Sequence, residues 1–412
     1  MCFCRKDYAE CRFLYVNLQR IAPQAMRLLK KRKETTRSDD GKLLPYSKWK
    51  TCIEVATDNV KAAITDMSTL KKQRRMLAEW EPQRAVLLAW PHGDTDWKPY
   101  LDDIHDTYVD IIRAITAYED VHIVAPDTAR LHDYLVSHLS EKHLQRISMS
   151  AYLTDDTWAR DFGHITVADA NEATTGLFFR FNGWGEKFPA SRDNNVKRHL
   201  EQETDLLTAC ENHDDFVLEG GSIESDGKGT VFTTRQCLLA PHRNQPLSQR
   251  QITARLKRTL GAERVVWLHH GQLIGDDTDG HIDTLVRIAP DDTIIYIACD
   301  DPDDAHYAEL QALEKELRRL RTLDGKPYRL LSMPLPHAIE YDGERLPATY
   351  ANYLVVNGAV LCPTYGHPEK DACAMATLQQ AFPDRKVIGI DSTVIVRQHG
   401  SIHCLTMQYY PC

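Results

Sequence analysis

Four short segments of this chain carry residue types that could act together on one carbon atom. Near the C-terminus, Gln398 to Met407 (QHGSIHCLTM) brings a histidine-cysteine pair, His403 and Cys404, to the end of a β-rich run. Upstream lie WARD (Trp158 to Asp161), EGGS (Glu219 to Ser222) and GHID (Gly280 to Asp283). Together they supply a soft nucleophile in Cys404, an imidazole in His281 and three carboxylates in Asp161, Glu219 and Asp283. A guanidinium is a planar fork of N–H donors, best matched by carboxylates in bidentate geometry, so Asp161 and Asp283 suit a clamp on it. Its charge is delocalised and its nitrogen is a poor leaving group, so a thiolate attack would divide one high barrier into two lower ones.

Each of these residues also has a plainer reading. Most cysteines are inert core groups, and Cys237, Cys299, Cys362 and Cys373 sit in apolar runs or on helix faces. In GHID, Gly280 frees the backbone, and residues two apart on a strand point to the same side, which would aim His281 and Asp283 into one pocket. By the same rule His403 should face away from the nucleophile, so it is read as structural. Arg160 could simply pair with its neighbour Asp161. Trp158 and Trp184 could pack along an aliphatic chain and face a terminal ammonium, or belong to the core. The GDDTDG run offers Asp277 and Asp279 as ammonium acceptors, or a polar loop. It lacks the EF-hand pattern, and the chain has no CxxC pair, so no metal and no cofactor is expected.

Several elements must position these groups. After Trp90, β-like runs alternate with amphipathic segments. Helices are predicted at Leu101 to Tyr118, on to His138 after a strand Val121 to Pro126, and at Arg192 to Ala209, Ser248 to Leu260, Asp303 to Leu323 and Pro368 to Phe382. A hairpin is expected around Asp226-Gly227, and VVWLHH, TIIYIAC and YLVVNGAVLC read as strands. From Asp161 to Glu219 is 58 residues, from Glu219 to His281 is 62, and from His281 to Cys404 is 123, about twice the same step. Stacked repeats around an axis would bring the same strand-end position of successive units to one central site, with one unit skipped around Tyr341 to Asn352. A doubly wound sheet is the competing architecture, but no GxGxxG follows a strand, and Gly220-Gly221 lies between strands.

The 412-residue chain carries a net charge of −9, divided unevenly. Residues 1–75 hold 18 Lys plus Arg against 8 Asp plus Glu, and the remainder 32 against 51. The basic segment, with Leu28 to Lys42 and Lys71 to Arg75, is read as an N-terminal extension or as residues ahead of a start near Met67 or Met76. A nucleic-acid or membrane-surface arm is the alternative. The acidic remainder suits steering of a small cation. Eleven irregularly spaced cysteines, no run of about 18 apolar residues and no secretory leader point to a cytoplasmic protein with reduced thiols, bound neither to membrane nor to nucleic acid.

From Met76 onward the chain resembles the guanidine-modifying deiminases. Within them it is similar to agmatine deiminases and the porphyromonad-type peptidylarginine deiminase. The resemblance rests on MLAEWEPQRAVLLAWPHGDTDW, DDTWARDFGHI, FRFNGWGEKFPASRDNN, LEGGSIESDGKGTVFTT, GDDTDGHIDTLVRI, NYLVVNGAVLCPTYG and the Cys404 segment, in the family's order. It implies a five-bladed α/β-propeller, the pentein fold, as a catalytic domain over residues 76–412, and a homodimer. It implies Cys404 as nucleophile, His281 as acid and base, Glu219 orienting His281 by a hydrogen bond, and Asp161 and Asp283 as the clamp. The expected reaction takes agmatine and water to N-carbamoylputrescine and ammonia. Two wordings depart from the family: His399-Gly400-Ser401 replaces a glycine run, and Glu186 follows Gly185. Deimination of arginine, free or peptidyl, is the nearest rival and would need a cation such as Arg345 for the carboxylate. An amidinotransferase is a third reading. A non-catalytic propeller-fold binding protein would need none of these groups together.

Overall fold

The computed structural model describes residues 74–411, and the rest of the expected extension lies outside them. Arg74 and Arg75 fall inside: Arg74 pairs with Glu211 and Arg75 with Glu81 and Glu172. Five sheets among the described residues share one pattern. An antiparallel pair is followed by a helix that returns the chain to a third strand, parallel to the second. The helices are Leu101–Ile115, Asp193–Glu203, Gln249–Leu260, Tyr307–Leu317 and Pro368–Ala381. Three predicted helices, over 101–118, 192–209 and 303–323, are shorter than the periodicity suggested, because the apolar face runs out. In Leu101–Ile115 the buried stripe Ile104, Tyr108, Ile111, Ile112 and Ile115 ends with the helix.

The first strand of each pattern is the one that matters for chemistry. These strands are Ile165–Ala168, Ile223–Ser225, Val286–Ala289, Leu354–Val356 and Thr406–Tyr409, and every residue in them is buried. The third strands Cys210–Val217, Arg264–Leu268, Arg329–Pro334 and Lys386–Asp391 are part exposed. A strand covered on both faces lies inside the molecule, so the turn leading into it opens toward the interior. Thr406–Tyr409 pairs antiparallel with Ala85–Ala89, Tyr409 opposite Ala85, which joins the two ends of the domain. The separate sheets exclude the doubly wound alternative. No helix among the described residues is long and apolar enough to cross a membrane.

Candidate active site

Each of the five buried first strands is preceded, within four residues, by one polar side chain aimed at a common centre. In chain order these are Asp161, Glu219, Asp283, Asn352 and Cys404. Asp161 sits in the short helix Ala159–Phe162; its Oδ1 accepts from Gly221 N at 3.0 Å and its Oδ2 from Trp184 Nε1 at 2.9 Å. Cys404 lies in a turn ahead of Thr406–Tyr409, not in the strand. Asn352 Nδ2 donates to its Sγ at 3.1 Å, and its own N–H donates to Asn352 Oδ1 at 3.3 Å. Asp283 Oδ2 is 3.7 Å from the same sulfur.

His281 and Asp283 do not share a strand as expected. Ile282–Thr284 is a turn of 3-10 helix, with Ile282 buried in the core and the two flanking polar side chains thrown together into the site. His281 is fully buried with no hydrogen-bond partner on either ring nitrogen among the described residues; Asp161 Oδ1 lies 3.7 Å from Nδ1, and the Cys237 thiol is beside the ring. Gly221 explains EGGS: a Cβ there would stand 2.6 Å from His281 Nδ1, 2.9 Å from Asp161 Oδ1 and 3.0 Å from Asp283 Oδ2. Only a glycine lets those three groups converge.

The groups titrate as their surroundings dictate. Burial, then the carboxylates of Asp283 and Asp161, push the Cys404 thiol well above its ordinary range. Burial disfavours the His281 imidazolium, but Asp161, Cys237 and Asp283 outweigh it and raise the ring well above the usual value. Burial raises Asp161. Burial acts on Asp283 too, yet the hydrogen bond and charge of His403 win, and its carboxyl is held below the ordinary range. A cation arriving between Asp161 and Asp283 would favour the thiolate.

Several expectations change. Glu219 makes no hydrogen bond to His281: its Oε1 accepts from the fully buried Arg243 at 3.0 Å, because that guanidinium needs a counter-ion, and Oε2 has no partner. His403 does not turn away; in the turn its Nδ1 meets Asp283 Oδ2 at 2.7 Å and its Nε2 meets Glu79 Oε2 at 2.8 Å. Arg160 leaves Asp161 alone and donates from Nε to the His403 carbonyl at 3.3 Å. Asp279 is engaged by Arg243 at 2.6 Å and Lys187 at 2.9 Å. Arg345 is held by Asp304 at 2.7 Å. Cys237, read as core, is buried beside His281.

One cavity, about 40 Å³, lies against Glu79, Arg160 and His403. Another, about 180 Å³, opens over Cys404 and is lined by Asp161, Trp158, Trp184 and Asp277, with Asp96, Asp156, Phe188, Thr284 and His399. Trp158 is fixed by Asp156, whose Oδ2 accepts from its indole at 3.0 Å, while burial pushes Asp156 up to about 6. Asp156 was next to the WARD motif yet carried no signal of its own. Asn352 had one, since it falls in the skipped repeat.

Two clusters among the described residues have donor sets able to hold a metal: Glu219, Cys237 and His281, and Glu79, Glu224 and His403. In the second, Arg287 already fills the space between the carboxylates. In the first, Arg243 stands against Glu219.

The model of Porphyromonas-type peptidyl-arginine deiminase matches residues 75–410. The agmatine deiminase of Pseudomonas aeruginosa (strain LESB58) is 34% identical over 360 residues, 81% of this chain and 95% of that protein. A solved structure from Porphyromonas gingivalis is 46% identical with a TM-score of 0.76, covering 82% of this chain and 98% of the other. A cysteine-to-serine form of C. jejuni agmatine deiminase with substrate bound is 35% identical, TM-score 0.76, over 82% and 96%.

Proposed function

The chain belongs to the Porphyromonas-type peptidyl-arginine deiminase family, and from that membership we propose that it hydrolyses agmatine to N-carbamoylputrescine and ammonia. It is an enzyme that acts on amidine C–N bonds. Asp161 and Asp283 hold the guanidinium, and its charge draws Cys404 into the thiolate form, the thiol proton leaving to solvent through the open cavity. The sulfur bonds to the central carbon. His281 gives its proton to the departing nitrogen, the C–N bond breaks, and ammonia leaves a thiouronium on Cys404. Water then adds to that carbon while His281 takes one of its protons; the C–S bond breaks as the remaining hydroxyl becomes the carbonyl, its proton passes to the leaving sulfur, and the ureido product departs with the thiol restored. Glu219, through Arg243, and Asn352, on the sulfur, position the two reacting groups.

One observation carries the choice of substrate. The cavity wall contributes four carboxylates, Asp96, Asp156, Asp161 and Asp277, and none of its lining residues is Lys or Arg. Such a wall suits a substrate that is cationic at both ends. An arginine carboxylate would meet no cation there, since Arg345 is spent on Asp304 and Lys187 on Asp279. Peptidyl-arginine, the substrate in the family's description, is the second reading, because a peptide bond removes that carboxylate.

A closed five-bladed ring, a homodimer and a cytoplasmic location belong to the same proposal. The five sheets of one pattern support the first. Purified protein offered agmatine, arginine and a peptidyl-arginine in parallel, with ureido product and ammonia measured, tests the substrate. Agmatine turnover lost in Cys404→Ser and His281→Ala supports the reading, and selective turnover of either rival overturns it.

A further inference from the structure

His399 stands in the wall of the catalytic cavity in a backbone conformation that side chains avoid. Its φ is +64°, in the left-handed region, where a non-glycine residue is strained and persists when the surroundings hold it there. The next residue shows why the loop cannot relax: a Cβ on Gly400 would lie 2.3 Å from the Trp158 ring, so the chain is pressed against the indole. Across the cavity mouth, His399 Nδ1 lies 2.7 Å from the carbonyl oxygen of Gly275, in the same loop as Asp277. A carbonyl can only accept, so Nδ1 carries the hydrogen. In the neutral ring this leaves a lone pair on Nε2, which has no hydrogen-bond partner among the described residues.

We infer that His399 is a specificity-determining residue whose Nε2 accepts a hydrogen bond from the terminal ammonium of the substrate, beside the Asp277 carboxylate. This deepens the agmatine reading and rests on it. The pairing is chemically apt. An ammonium has three donors and no acceptor, and Asp277 with His399 offers acceptors from two loops tied to each other through Gly275. The imidazole also caps the hydrocarbon part of the chain that Trp158 and Trp184 flank. The strained backbone is then what turns the ring into the cavity.

Agmatine binding measured by calorimetry on the full-length Cys404→Ser protein and on Cys404→Ser/His399→Gly tests the inference. Turnover by the unmodified enzyme is followed alongside and reads the deiminase assignment separately. The glycine variant should bind agmatine about tenfold more weakly, as expected for a lost hydrogen bond to a charged group. In the Cys404-containing enzyme, His399→Gly should raise KM by a similar factor and leave kcat within about threefold. Its urea midpoint should not fall, because glycine relieves the left-handed strain. Equal agmatine affinity in the two proteins, or a loss confined to stability, overturns the inference even if the enzyme proves to deiminate agmatine.

Discussion

Two buried polar clusters meet at Asp283, and they are finished to different degrees. Behind the site, Arg287 is fully enclosed and bonds Glu79, Glu224 Oε1 at 2.6 Å and the carbonyls of Ala351 at 3.1 Å and Tyr353 at 2.5 Å, with the Tyr353 ring 4.4 Å from its guanidinium carbon. Glu79, Glu224 and His403 all have partners too. On the cavity side, at the same depth, both nitrogens of His281, Glu219 Oε2 and Asp283 Oδ1 have none. Leaving a buried polar atom unpaired costs about 1–3 kcal/mol, so a fold that saturates one cluster and not its neighbour has left the second for something that arrives. The saturated cluster stabilises; the unsaturated one keeps donors and acceptors open for a substrate.

The largest expected effect breaks that contrast from the stable side. Arg287→Met leaves Glu224 a buried charge without its counter-ion and Glu79 with His403 alone, and should cost about 3–5 kcal/mol in urea unfolding. A loss near zero would mean the hub is not structural. Next, Gly221→Ala strikes the unsaturated side: its Cβ displaces His281, Asp161 or Asp283, and kcat should fall about 100-fold while the urea midpoint holds. A fall in stability without loss of kcat would erase the distinction between the clusters.

A smaller effect concerns the cavity mouth. Burial pushes Asp277 up to about 6, so its carboxylate is charged above that pH and neutral below it. Attraction for a terminal ammonium is therefore present above pH 6 and lost as pH falls through it. The profile of kcat/KM for agmatine should drop on the acid side, and Asp277→Asn should lower kcat/KM about tenfold at pH 8 and flatten that limb. Smallest of all, Arg345→Ala should shift KM for agmatine and for arginine by less than about twofold, because its guanidinium serves Asp304. A selective rise in KM for arginine would restore it as a carboxylate ligand.

Much of this was readable from residue order. Motif types at a near-constant step set out Asp161, Glu219, His281 and Cys404 as one group, and the same step pointed to the interval that holds Asn352. What failed was local geometry. The rule that alternate residues share a face misplaced His403 and misread GHID, because both segments are turns in which that rule has no force. Partner choice failed as well: Glu219 looked free to orient His281 until Arg243, 24 residues away, proved to need its charge.

The amino-acid order by itself fixed the inventory of thiol, imidazole and carboxylates, the alternating α/β pattern and the repeat that spaces the site residues, since these depend on side-chain chemistry and periodicity within short windows. Tertiary structure decided which polar atoms are spent on each other and which stay open. Hydrogen-bond saturation is settled between residues far apart in sequence, Asp283 with His403 and Glu219 with Arg243, and only packing brings those atoms within 3 Å.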